Sequence, residues 1–100
     1  MKAQGLTFVS RNVRSRFGEI DLIMQDQDVL VFVEVRSRSR KDFGSAAESI
    51  TAAKQRRIAL AAREYLARQP AVPPCRFDVV TLDGVHNHPV WIRNAFGDVG

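Results

Sequence analysis

Three carboxylates stand where a core is expected. Gly18-Glu19-Ile20-Asp21-Leu22 and Phe32-Val33-Glu34-Val35-Arg36 both read as strand segments, yet they carry Glu19, Asp21 and Glu34. A buried strand rarely keeps an acid unless it is paired, hydrogen-bonded or bound to a metal. One turn separates the two segments, so they are expected to be neighbours. Asp21 and Glu34 would then offer two hard oxygen ligands to a divalent cation, with Arg36 on the face of Glu34. Mg²⁺ takes one or two protein carboxylates and keeps several waters, and it can activate a bound water against a phosphodiester. The competing reading is structural: Glu34 pairs with Arg36 or Arg14 across a strand face, and Asp21 caps the turn network. Burying an unpaired carboxylate costs several kcal/mol, which weakens the structural reading, but spacing leaves both standing.

The elements that must place these groups follow from periodicity. Leu6 to Val13 reads as a strand, and Arg14-Ser15-Arg16-Phe17-Gly18 as a basic connector. Glu19 to Met24 is a second strand, with Ile20, Leu22 and Met24 on one face and Glu19, Asp21 and Ile23 on the other. Asp26-Gln27-Asp28 has hairpin-turn chemistry. Val29 to Val35 is nearly all apolar and β-branched, the pattern of a central strand covered on both faces. A polar, basic loop runs from Ser37 to Gly44, and Ser45 with Glu48 has capping-box spacing.

Thr51 is expected to cap a helix running to about Arg68, its stripe formed by Ile58, Ala61, Ala62, Tyr65 and Leu66. Lys54 lies at the edge of that stripe; Arg56, Arg57 and Arg63 lie outside it. The prolines at 70, 73 and 74 end the helix. Arg76 to Leu82 and Val90 to Phe96 read as two further strands, Asp83-Gly84 as a turn and residues 97–100 as a fraying tail. The expected order is β-β-β-α-β-β, one α/β domain over residues 1–100 with a mixed sheet flanked by a helix.

Composition narrows the class. The 100 residues are 45% hydrophobic, ordinary for a folded domain, and no apolar run is long enough to cross a membrane. Cys75 is the lone cysteine, which excludes an internal disulfide and a thiolate cluster and fits a reducing, cytoplasmic setting. The formal net charge is +4, with twelve Arg to three Lys. Arg grips phosphate bidentately, so the bias leans toward nucleic acid, against the plainer reading of a solubilising surface. His86 and His88 flank a turn without a carboxylate or thiol at useful spacing and read as exposed polarity. Cys75 reads as a small buried or edge hydrophobe. Asp78 is expected to pair with an Arg, and Tyr65 and Trp91 to serve the core.

The motifs also carry a resemblance. Glu19-Ile20-Asp21 with Glu34-Val35-Arg36 looks like the PD-(D/E)xK nuclease motif. Arg11-Asn12-x-Arg14, Gly18 to Ile23, Phe32 to Arg36, Phe43-Gly44, Lys54 and Arg76 to Val80, in that order, resemble the bacterial YraN-type (UPF0102) family, over about Gly5 to Leu82. That family is similar to archaeal Holliday-junction resolvases and to proteins of restriction-endonuclease-like fold. The resemblance implies a metal-dependent endonuclease acting on DNA, including branched DNA. Asp21 and Glu34 would be ligands for Mg²⁺ or Mn²⁺, and Glu19 an accessory acid. Arg36 stands in the Lys position of the motif. Lys54, with Arg14, Arg16, Arg38, Arg40 and Lys41, would meet the nucleic acid.

Two departures from the family pattern stand out. Arg36 cannot act as a base, because a guanidinium stays charged. Only about five residues precede the first expected strand, so the helix that family members usually carry there is expected to be missing, natively or by truncation. These departures favour the alternative of a non-catalytic nucleic-acid-binding module. They also imply a less covered sheet face that a partner chain, as in a homodimer, would fill.

Overall fold

A computed structural model of the chain describes residues 5–38, 50–83 and 89–97. The elements run β1 (Thr7–Ser15), β2 (Gly18–Asp26), β3 (Val29–Arg38), α1 (Ala52–Leu66), β4 (Cys75–Asp83) and β5 (Pro89–Phe96), in the expected order. They form one five-stranded sheet in sequence order. β1, β2 and β3 are joined as antiparallel hairpins, β3 and β4 are parallel, and β5 returns antiparallel to β4. The parallel pair demands a crossover, and α1 supplies it.

β3 sits at the centre because it has nothing polar to show until Glu34. Leu30, Val31, Phe32 and Val33 are buried on alternating faces. On the helix face, Ile20, Ile23 and Phe32 meet Ile58, Ala59, Ala61, Ala62 and Leu66 of α1. A row of rings crosses three strands beneath the helix: Phe32 and Phe77 stack at 5.6 Å, and Phe77 and Phe96 at 5.0 Å. On the opposite face Leu6, Met24, Val31, Val33 and Val80 form a second cluster, flanked by Leu22, Val35 and Trp91. All five are at most 2% exposed. The central residues of this face are therefore buried within the chain, where the missing-helix argument expected a less covered surface.

Several boundaries and one face assignment differ from the expectation: β1 runs on to Ser15, into the expected connector, and β2 to Asp26, into the expected turn. β3 continues through Ser37 to Arg38, because its pairing with β4 runs on to Asp83. The helix stops at Leu66, and the Ala67 amide donates back to the Arg63 carbonyl. In β2 the alternation slips: Ile20 and Ile23, three apart, share the helix-side cluster, while Leu22 and Met24 line the other. The slip falls opposite an irregular residue of β1. Asn12 has a φ of 51°, in the left-handed region that Asn tolerates better than most residues. The register sets it opposite Asp21, between the Arg11–Leu22 and Val13–Ile20 pairs. Ser45, Glu48, His86, His88 and the tail from 98 onward lie outside the described residues.

Candidate functional site

A fork lies at this irregularity. Pairing between β2 and β3 begins at Leu22–Val33 and continues toward the Asp26–Val29 turn. On the other side of Leu22 the β1–β2 ribbon parts from β3, and Asp21 stands at the split. There its Oδ2 accepts the Val35 amide at 2.8 Å, replacing the backbone acceptor that a continuing ladder would have supplied. That bond fixes the Asp21 carboxylate beside Glu34, the residue before Val35. The spacing-based expectation that Asp21 and Glu34 meet is fulfilled, and the sheet geometry explains how.

Glu34 is buried, on the helix side of β3 two residues beyond Phe32. Its carboxyl is pushed up to about 7 from an ordinary 4.5. Burial is the largest cause, since water no longer solvates the charge. The hydrogen bond to Asp21 and the Asp21 charge add to it, while Lys54 and Arg36 pull the other way. Glu34 therefore keeps its proton closer to neutral pH than an ordinary glutamate does. Lys54 Nζ reaches Glu34 Oε1 at 3.8 Å from the first turn of α1. Thr51 sets that turn: its Oγ1 accepts the Lys54 amide at 3.1 Å, the N-cap the sequence indicated.

The hairpin tip closes one side of the site. Ser15 Oγ donates to the Gly18 carbonyl and accepts the Phe17 amide. Gly18 has a φ of 144°, open to glycine and unfavourable with a side chain. The Arg16 amide donates to Glu64 Oε2 at 3.2 Å, tying the tip to the helix. Between tip and helix lies a pocket of about 140 Å³ lined by Phe17, Gly18, Glu19, Lys54, Arg57 and Ile58. Glu19 is exposed and lines this pocket, and it does not join Asp21 and Glu34 in a three-acid cluster. Arg14 is exposed on β1, paired in register with Glu19. Arg36 lies close enough for its charge to act on Glu34. Arg40, Lys41 and the side chain of Arg38 lie outside the described residues.

A second polar cluster sits away from the fork, and its purpose is structural. Asp78, on β4, is fully buried. Its Oδ1 accepts Arg76 Nε at 3.0 Å and the Asn94 amide at 2.9 Å, and its Oδ2 accepts Trp91 Nε1 at 2.8 Å. Arg76 Nη1 also donates to Asp26 at 2.8 Å. Burial opposes the Arg76 charge, but its bonds to Asp78 and Asp26 outweigh that and raise its pKa. The expected Arg partner for Asp78 is present; the Trp91 and Asn94 donors were not foreseen. Cys75 is exposed at the start of β4, on an interior strand, and not the buried or edge hydrophobe expected.

Asp21 and Glu34 are the residues at the fork that could hold a hard cation. Two carboxylates close enough to share a proton can exchange it for Mg²⁺ or Mn²⁺. Each carboxylate has about four acceptor positions, so the Val35 bond leaves Asp21 able to ligate. Among the described residues no three His, Cys, Asp or Glu side chains gather into a cage. Water would therefore complete the coordination, as is usual for Mg²⁺.

A mixed sheet of order β-β-β-α-β-β, with acids at the strand fork and a crossover helix beside them, is consistent with the α/β restriction-endonuclease-like class. Within it, the model of the uncharacterised protein family UPF0102 matches residues 1–82, and the chain belongs to that family. The UPF0102 protein NE0719 of Nitrosomonas europaea is 54% identical over 99 residues, spanning 98% of this chain and 84% of the relative. RALTA_A3032 of Cupriavidus taiwanensis is 57% identical over 97 residues, covering 96% and 72% respectively. Among the described residues no helix is long and apolar enough to cross a membrane.

Proposed function

We propose that the chain is a metal-dependent endonuclease hydrolysing DNA phosphodiesters, branched forms included. The observation that carries this reading is the Asp21–Glu34 pair, lodged at a strand fork with Lys54 3.8 Å from Glu34. Mg²⁺ or Mn²⁺, when bound, supplies charge neutralisation at the phosphate and an activated water. Asp21 and Glu34 would hold that ion, with Glu34 in its deprotonated form. Arg36, always charged, takes no proton; it clamps a phosphate oxygen and steadies charge in the transition state. Lys54 aligns the phosphate from the helix side, and Glu19 stands by as an accessory acid. Arg14, Arg16, Arg38, Arg40 and Lys41 meet the DNA backbone.

The test is cleavage of labelled linear, flap and four-way-junction DNA in Mg²⁺, Mn²⁺ or EDTA. Metal-dependent cutting should vanish in Asp21→Asn and in Glu34→Gln. Cutting that survives in either variant removes the assignment.

A second reading has an observation of its own. Arg36 stands where the nuclease motif has Lys, and Asp21 already has a structural task at the Val35 amide. Both fit a non-catalytic DNA-binding module that keeps the fold. A mobility shift on the same DNAs, with no cutting in any metal, selects it.

A further inference from the structure

The pocket between hairpin tip and helix is separate from the acid pair and joined to it through Lys54 and Glu19. Its lining is of two kinds. Phe17 and Ile58 supply apolar surface, and Lys54 and Arg57 supply cations. Arg16 adds a third cation, its guanidinium 5.6 Å from the centre of the Phe17 ring. The first turn of α1, which Lys54 occupies, holds no acid that would weaken the attraction of its amides for an anion. Glu19 is the lone carboxylate of the lining, against Lys54 and Arg57.

An apolar ring beside two cations is the chemistry that receives a base and its phosphate together. Base stacking on an aromatic face tolerates any sequence, and the cations track the backbone. The volume, about 140 Å³, is on the scale of part of one nucleotide. The walls, Phe17 to Glu19 on one side and the helix on the other, leave a slot for one strand.

We propose that this pocket is a subsite for an unpaired nucleotide of DNA, next to the phosphate at the fork. Phe17 stacks on the base, and Lys54 with Arg57 hold its phosphate. The site therefore selects DNA with a single-stranded segment, such as a flap or splayed end, over continuous duplex. The proposal rests on the reading of this face as the DNA site, but not on catalysis.

Fluorescence anisotropy in EDTA tests it, with a labelled oligo-dT, a splayed-arm duplex and a blunt duplex. The parent chain should bind the first two more tightly. Phe17→Leu keeps apolar bulk and loses the aromatic face; it should lower the ratio of single-strand to duplex affinity by about tenfold. Phe17→Tyr should restore the ratio. Arg57→Gln should flatten the salt dependence on oligo-dT by about 0.7 in log–log slope. Thermal melting of each variant guards against misfolding. A parent without preference, or a Phe17→Leu loss equal on all three DNAs, overturns the subsite. Preference without any cleavage keeps the subsite while the nuclease reading fails. Cleavage that needs Asp21 but ignores Phe17→Leu does the reverse.

Discussion

At the residue scale, the Glu34 carboxyl ties the site to the stability of the fold. It is pushed up to about 7 in the folded chain, against 4.5 ordinarily. Between those values the folded chain holds a proton the unfolded chain has released. Stability without metal is therefore fullest below pH 4.5 and declines as pH rises through that window. Above about 7 it is lower by on the order of 3 kcal/mol. Glu34→Gln stays neutral and should be flat over the same range, so it overtakes the parent at pH 8. Urea unfolding of both chains in EDTA at pH 5 and 8 checks this, and a parent that gains on the variant with rising pH would falsify it. Asp78 behaves differently, because four donor groups converge on it. Asp78→Ala leaves the Trp91 and Asn94 donors unmet and half-strips a buried Arg76. Loss of about 3 kcal/mol is expected in the same unfolding experiment. Acids set in apolar strands made Asp21 and Glu34 legible from sequence. The Arg76 partner of Asp78 was legible too, two residues away on the same face. Trp91 and Asn94 lie 13 and 16 residues on, and only the curl of β5 brings them back.

At the scale of elements, periodicity read the order of strands and helix and the buried stripe of α1. It failed where a strand bends. The pairing of β4 and β5 shifts register between Phe77 and Val79, and Asn94, with a φ of 51°, sits in that irregularity. Its amide points at Asp78 because the backbone turns left-handed there. Asn94→Ala should cost about 1 kcal/mol, while Asn94→Gly, which adopts that φ freely, should cost less. Chemical denaturation of the two variants separates them, and equal losses would shift the cause from the backbone to the Asn side chain. Asn12 makes the matching bend opposite Asp21. A single strand read alone gives no sign that its alternation slips, so Ile20 was grouped with Leu22 and Met24 when it packs on the opposite face with Ile23. The slip coincides with the end of β2–β3 pairing at Leu22, where the Asp21 carboxylate takes the Val35 amide.

For the whole molecule, the question is how a site built on carboxylates attracts a polyanion. The chain carries a formal net charge of +4, but on the proposed reading the acids lie where a phosphate would come closest. At pH 8, above the value near 7 to which Glu34 is pushed, Glu34 would meet DNA as an anion unless a cation is bound, and like charge at the point of contact opposes attraction. Replacing both, Asp21→Asn with Glu34→Gln, removes two carboxylates and takes the formal net charge from +4 to +6. In EDTA at pH 8 this double variant should bind DNA several-fold more tightly than the parent, while cutting nothing in Mg²⁺. Adding Mg²⁺ should close most of that gap by raising the parent alone, because only the parent has the ligands. Anisotropy titrations of both chains, with and without Mg²⁺, read all three effects together. Equal affinities in EDTA would mean that DNA lies elsewhere on the surface. A gap that Mg²⁺ leaves unchanged would mean that the acids repel phosphate without holding the ion.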